Sequence, residues 1–385
     1  MAVAGDGIGV SPRVAAMTTS RWLPRVSDQA YENYPLLDLL RKKKRARRTS
    51  AGGGEIRWML SVGYPALQTF EDGAPHSFVP TGKIKNAVLP FAFYRLTEAL
   101  SPREKAENRG AAAKGQLVPT VTRRLQDGAV AQLGPELYVD GNATGNGLKL
   151  QGLESMFGHS DTQTANDELA TTLNDTYAGL STAYGSVGSI SGATQATRTL
   201  GAWAWSPSVV AVNRTPTGGS QLTWDDNCDS LIRLGVRSVS WGAARMDQPD
   251  LGVFREPSHR ALLEKLESTH RVMLTSSDLE TRYGFKPAGG VNFEGVVCYW
   301  DRAVPSTDGN SNTMHGYLLN TDKMMLEINP SGVTGAVEAK GEADLFDFWQ
   351  GQDIYTLQDV YALLMFGQMQ FESPRFFAKF TEIVA

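Results

Sequence analysis

Only two of the 385 residues are cysteine, Cys228 and Cys298. Two thiols cannot build a disulfide framework or a multi-cysteine zinc site. Their expected place is the core, as small apolar side chains in a reducing compartment. Histidine is also scarce: His76, His159, His259, His270 and His315 are scattered, without HExxH or any other ligand spacing, and are expected at the surface or in loops. Long apolar runs are missing. VYALLMF, residues 360–366, is among the longest, far short of the ~20 residues of a membrane span. The first twenty residues hold no apolar stretch long enough for a signal peptide. A soluble chain, cytoplasmic when made and without a membrane partner, is expected.

Catalytic patterns are missing too. There is no GxSxG elbow, and Ser258 and His259, adjacent in a helix, do not face each other. GNATGNGLK, residues 141–149, lacks the GxxxxGK[ST] spacing and follows a helix, where a phosphate loop follows a strand; it is read as a turn. Glu338, Glu342, Asp344 and Asp347 read as a solvated loop face, since EF-hand spacing is absent. Asp225, Asp226 and Asp229 suit the N-terminal end of a helix. Aromatics are not interleaved with Lys and Arg as in a single-strand binder. No catalytic, metal or cofactor site, and no enzyme, is expected.

One excess stands against these absences. Arg41, Lys42, Lys43, Lys44, Arg45, Arg47 and Arg48 make seven of eight consecutive residues basic. The whole chain carries −4, and without this run the remainder has 30 basic against 41 acidic residues. The run is a local exception on an acidic body, whereas a protein that grips phosphate usually spreads positive charge over a face. It is a candidate basic patch, near a subunit joint, for acidic surface of a neighbour or for nucleic acid. Tyr31 to Arg48 can form one short helix, with Leu36, Leu37, Leu39 and Leu40 as its apolar patch and Gly52-Gly53-Gly54 ending it.

Then the period changes to two. Ile56, Trp58, Leu60 and Val62 alternate with polar or flexible residues, which predicts a strand. After the loop EDGAPHSFVPTG a second extended tract returns through Ile84, Val88, Phe91 and Phe93, with Pro90 marking a bulge or an edge. Eight residues per arm at ~3.3 Å give a reach of roughly 27 Å. An isolated two-stranded ribbon is marginal in water, so this one must lie on its own domain or on a neighbouring subunit. Ile56, Trp58, Leu60, Phe70, Phe78, Phe91 and Phe93 are the candidate interface residues. Trp58 is the central one, because nothing local is expected to cover its indole.

The rest mixes helices and strands. Ser101-Pro102-Arg103-Glu104 opens a helix, and Val118, Val121, Leu125, Ala129 and Leu133 recur at helical spacing, with Pro119 and Gly134-Pro135 expected to kink or divide that helix. Residues 159–200, rich in Ser, Thr, Gly, Ala and Asn, read as an irregular excursion. Thr223 caps a further helix with Cys228, Leu231, Ile232 and Gly235 on one face. PDLGVF, VNFEGVVCYW and HGYLLNTDKMMLEI read as strands and PSHRALLEKLES as a helix. The C-terminus reads as a hairpin around ESPR. This is an α+β chain, not a βαβ succession.

PLLDLLRKKKRARRTSAGGGEIRWMLSVGY followed by LQTFEDG resembles the start of the major capsid proteins of tailed bacteriophages with the Hong Kong 97-type fold, where a leucine-and-basic helix leads through glycines into a long hairpin, the E-loop. LYVDGNATGNGLKLQGLESMF is similar to the segment where that family's spine helix ends, and PDLGVFREPSHRALLEKL and HGYLLNTDKMMLEI resemble its later strands and helix. The resemblance is densest from about 30 to 158 and poor over 159–220. It implies a Hong Kong 97-like α+β fold with an N-terminal arm (1–50), an E-loop (51–98), a peripheral domain with the spine helix and an irregular insertion (99–222), an axial domain (223–350) and C-terminal strands returning to the core (351–385). The implied function is a self-assembling icosahedral shell of hexamers and pentamers. Double-stranded DNA would lie on its inner face, with a separate scaffolding protein, portal and cement protein as further partners. An E-loop lies across an adjacent subunit in such shells. About thirty residues precede the leucine-basic helix, which leaves no room for a large fused scaffolding domain, and the Lys and Asn of the isopeptide cross-link known from one member are not identified. An encapsulin-type compartment, a soluble nucleic-acid-binding protein using residues 41–48 and a hydrolase are the alternatives.

Overall fold

Leu36, Leu37 and Leu40 fall on one face of a two-turn helix, α1 (Pro35–Lys42), opened by a proline at its first position. All three are buried, each contributing about 1.5–3 kcal/mol of apolar burial. The computed structural model describes residues 34–49, 53–61, 69, 84–108, 117–157, 176–182, 186–187, 190–191, 205, 207–212, 223–240, 248–270, 291–305, 313–338, 345–353 and 355–384. The basic run is not one helix, as expected, but two pieces. Lys44 takes a left-handed φ of 56°, which stops α1, and the chain continues extended as β1 (Ala46–Arg48). Tertiary pairing decides this: β1 adds in parallel to residues 326–328 of a later strand.

The expected ribbon forms from β2 (Glu55–Ser61) and β3 (Ile84–Pro90), antiparallel, with Trp58 opposite Ala87. It ends sooner than the sequence suggested. At Pro90 the chain leaves it and becomes β4 (Ala92–Leu100), so Phe93 belongs to a strand of a larger sheet. Next come α2 (Pro102–Glu107), closed at its start by a reciprocal Ser101–Glu104 capping box, and α3 (Leu117–Glu136). α3 is not divided: Pro119 falls in its first turn, and at Pro135 the helix tightens, with Leu137 N–H shared between the carbonyls of Leu133 and Gly134 at 3.3 Å each. Gly134 is required by packing, since a Cβ there would sit 2.3 Å from the Tyr34 ring. The turn at 140–149 ends α3 as expected and leads to α4 (Glu154–Phe157).

Short pairs follow, β5 (Thr176–Tyr177) with β6 (Leu180–Ser181) and β7 (Ser186–Val187) with β8 (Ile190–Ser191). Then come β9 (Ser208–Ala211), α5 (Trp224–Val239), β10 (Leu251–Phe254), α6 (Glu256–His270), β11 (Val291–Phe293), β12 (Val296–Trp300) and β13 (Thr313–Leu319). The chain closes with β14 (Met324–Asn329), β15 (Val337–Glu338), β16 (Asp347–Gln352), β17 (Asp359–Phe371) and β18 (Ala378–Val384).

Two six-stranded sheets organise these elements. The first runs β1-β14-β17-β16-β15, with β4 also on β17. One edge of the long β17 pairs β4 over Asp359–Gly367, and the other is shared between β16 and β14. α3 lies across β17 and β4, placing Val121, Leu125, Ala129 and Leu133 in a core with Leu363 and Met365; Val118, at the helix start, is 39% exposed. The second sheet runs β11-β12-β10-β13-β18-β9. α5 and α6 cover one face of it, with Trp224, Cys228, Phe254 and Phe380 in a separate core, while Val253, Tyr317 and Leu319 join the first core. The C-terminal strands are therefore not a hairpin, because β17 and β18 lie in different sheets. Both cysteines are buried as expected, and burial pushes each thiol up to about 12.

Candidate assembly surface

The ribbon's inward face is built by the alternation itself. Ile56 and its cross-strand partner Leu89 are buried, Trp58 and Leu60 are half-buried, and all pack on the chain's own first core. Nothing local covers Trp58, as expected, but remote parts of the same chain cover it in part. Its ring centroid lies 6.4 Å from those of both Tyr177 and Trp205, and its Nε1–H donates to the Glu372 carbonyl at 3.2 Å. Those partners come from distant parts of the chain, which the strand pattern could not reveal. The outward face shows Met59 at 77% and Ile84 at 67% exposure, two apolar residues not among the candidate interface residues. Phe91 is half-buried and Phe93 is 71% exposed, yet both contact Phe366, Phe93 by stacking at 4.1 Å. Phe70 and Phe78 lie outside the described residues.

The basic run turns onto the chain's own acids. Lys43 pairs with Asp250 and bonds Thr321, Arg45 meets Asp322 at 2.6 Å, and Arg47 meets Glu327 at 3.0 Å. Arg48 is the most embedded: it reaches Asp347 at 2.6 Å, the Phe346 carbonyl at 2.6 Å and Glu338 at 3.4 Å. Glu338 and Asp347 are thus not simply a solvated loop face, and Glu342 and Asp344 lie outside the described residues. Burial would raise Asp347, but bonds from Arg48 and Ser331 outweigh it and hold the carboxyl below its ordinary value. Lys42 and Lys44 are exposed, and Arg41 is half-buried at the end of α1.

A third constellation escaped the sequence reading. Glu154, on α4, points its largely enclosed side chain at the second sheet, where Lys379 Nζ lies 2.6 Å and His315 Nδ1 3.0 Å from its carboxylate and the Tyr317 hydroxyl donates to it. Burial would raise this carboxyl, but the charge of Lys379 and the bond to His315 outweigh it, leaving it well below the carboxylate range. Nearby, Tyr138 donates to Asp301 at 2.9 Å. His315 and His259 are buried, contrary to the surface placement expected of them; His259 Nε2 lies 3.2 Å from the Cys298 carbonyl. The cluster joins α4 to β13 and β18, and so the first core to the second sheet. Among the described residues no group of three or more His, Cys, Asp or Glu could hold a metal ion, and no helix is long and apolar enough to cross a membrane.

No protein-family model matches the sequence, and no curated protein matches it. Solved structures match over nearly the whole chain. The capsid asymmetric unit of cyanophage A-1(L) superposes with a TM-score of 0.56 at 15% identity, covering 95% of this chain and 97% of that one. The capsid of a native GTA particle gives 0.53 at 12%, covering 99% and 98%. An encapsulin complex from Synechococcus elongatus gives 0.50 at 11%, covering 96% and 95%. At these identities the likeness speaks for the fold, and the ribbon, the long α3 and the two sheets are its parts. The chain has the α+β Hong Kong 97-type capsid fold found in tailed-bacteriophage major capsid proteins.

Proposed function

We propose that the chain is the major capsid protein of a tailed bacteriophage, assembling with copies of itself, as hexamers and pentamers, into the icosahedral head that encloses double-stranded DNA. The observation that carries this reading is the end-to-end match to phage capsid subunits, 95% of this chain and 97% of the cyanophage one, combined with a ribbon that leaves exposed apolar residues on its outward face. Its place is then the virion shell, with the bacterial cytoplasm as the site of assembly; a scaffolding protein, portal and cement protein are its proposed further partners. The role is structural rather than enzymatic. We assign the interface to the ribbon and to Phe93 at its base, with the exposed Met59 and Ile84 joining the sequence candidates Phe70, Phe78 and Phe93, because exposed apolar groups mark association sites.

The encapsulin reading shares the fold and is supported by the match at TM-score 0.50. Purified shells separate the two: packaged genome supports the phage, and an enzyme cargo overturns it. The soluble nucleic-acid reading loses its main support, since Lys43, Arg45, Arg47 and Arg48 are engaged by the chain's own carboxylates. Negative-stain imaging of the expressed chain is the direct test; absence of closed particles under all assembly conditions would remove the capsid reading.

A further inference from the structure

The tract 159–220 had no legible role in the sequence, yet three of its described residues, Tyr177, Ala178 and Trp205, meet the ribbon. β5 and β6 are joined by a two-residue turn, Ala178 at φ 52° and Gly179 at φ 76°, the left-handed pair that suits a tight hairpin. A non-glycine residue in that region is strained, and the Ala178 carbonyl it aims accepts the Val88 N–H of β3 at 3.0 Å. Tyr177 fixes the hairpin to the first sheet: its hydroxyl donates to the Met369 carbonyl at 3.3 Å and accepts the Phe371 N–H at 2.8 Å. Its ring and that of Trp205, with centroids 6.1 Å apart and planes at 26°, both abut the Trp58 indole, whose centroid lies 6.4 Å from each. Trp205 is buried, and its Nε1–H donates to no group among the described residues, so this ring serves by its faces and not by its donor. A few residues on, β9 pairs with β18 at the edge of the second sheet.

We infer that Tyr177, Ala178 and Trp205 are positioning residues: a cradle that sets the angle at which the ribbon leaves the subunit, and through that angle the size of the shell. The inference rests on the reading of the ribbon as an arm between subunits. The cradle grips the root by a cluster of three mutually packed rings, Tyr177, Trp205 and Trp58, and one main-chain bond to β3. The paired strands follow as a lever, so a small rotation at the root displaces their far end, at Ser61 and Ile84, the most. Both grips are tied to β17 and β18, so the cradle refers the ribbon to the rigid sheets and not to the flanking glycines at 53 and 54.

The test uses the full-length chain. Amide exchange over 55–61 and 84–90 is compared in the parent, Tyr177→Phe, Trp205→Ala, Trp205→Phe and Ala178→Gly, and particle diameter is read by electron microscopy. Tyr177→Phe, which removes both hydroxyl bonds and keeps the ring, should speed ribbon exchange several-fold, and Trp205→Ala at least tenfold, with α5 protected as in the parent. Both should give shells of mixed diameter. Trp205→Phe and Ala178→Gly should match the parent, since they keep the ring wall and the carbonyl. Unchanged ribbon exchange in both Tyr177→Phe and Trp205→Ala would overturn the cradle. Faster exchange with shells of parent diameter would overturn its control of shell size. If the parent itself forms no shells, the capsid reading and the size control fall together, while the exchange measurements still decide whether the cradle holds the ribbon.

Discussion

Arg45 and Lys379 each meet a carboxylate at 2.6 Å, the first at the surface and the second in the interior. The side chains of Arg45 and Asp322 are 34% and 70% exposed, those of Lys379 and Glu154 1% and 11%. Equal distances do not mean equal energies. Water screens the first pair and competes for it, so it is worth about 0–1 kcal/mol. Removing one partner of the second leaves a charge in a low-dielectric interior, at a cost of about 3–5 kcal/mol. The basic run dominates the sequence by its density, while Glu154, His315 and Lys379 stand far apart in it, and the scattered set is the one whose disruption is expected to cost more.

The largest effect should come from Lys379→Met, which strands the Glu154 carboxylate beside His315. A loss of about 3–5 kcal/mol in urea unfolding is expected, and a loss under 1 kcal/mol would show that water reaches the cluster. Changing both members, Glu154→Gln with Lys379→Met, should recover much of that loss, since no uncompensated charge remains.

Acid should reveal the same depth. Glu154 has a folded pKa below its unfolded one, so its contribution is complete above the ordinary glutamate value of 4.5 and is lost as pH falls below it. Asp347 is depressed too and works in the same direction, whereas Asp140, raised chiefly by burial and further by the charge of Glu154, works in the opposite one. Unfolding free energy should therefore drop on acidification through that region. In Glu154→Gln the drop should be shallower, and an identical acid limb would contradict the assignment.

Within the basic run the effects should be graded by burial. Arg48→Ala removes bonds to Asp347 and the Phe346 carbonyl at a half-buried site and should cost about 1–2 kcal/mol. Arg45→Ala and Arg47→Ala should each cost under about 1 kcal/mol and lose even that in 1 M salt, where the Debye length is about 3 Å. A cost from Arg45→Ala that survives high salt would erase the contrast between surface and interior.

Several elements were legible because local chemistry decides them. Period two from Ile56 to Leu60 forms β2, the Ser101–Glu104 pair caps α2, and the spacing of Val121, Leu125, Ala129 and Leu133 gives α3 its buried stripe. Where the reading failed, a remote partner had overridden a local preference. Arg45–Arg48 carry helix-forming residues, yet β14 offers an unpaired edge and carboxylates, and the chain goes extended. Pro135 should have divided α3, but one tightened turn accommodates it.

The sequence by itself determined that this is an α+β chain with an apolar ribbon after a basic run, and its ordered motifs brought the capsid fold into view. The α+β class and the ribbon follow from side-chain periodicity, turn chemistry and charge density, all properties of neighbours along the chain, while the capsid fold came from resemblance to a family. Only the tertiary structure decided whose surface those groups cover. Arg48 finds Asp347, Trp58 finds Tyr177 and Trp205, and Glu154 finds Lys379, 225 positions away. Periodicity says that a face is apolar or charged, but burial and pairing depend on which distant segment folds against it, and that is a property of the assembled sheets.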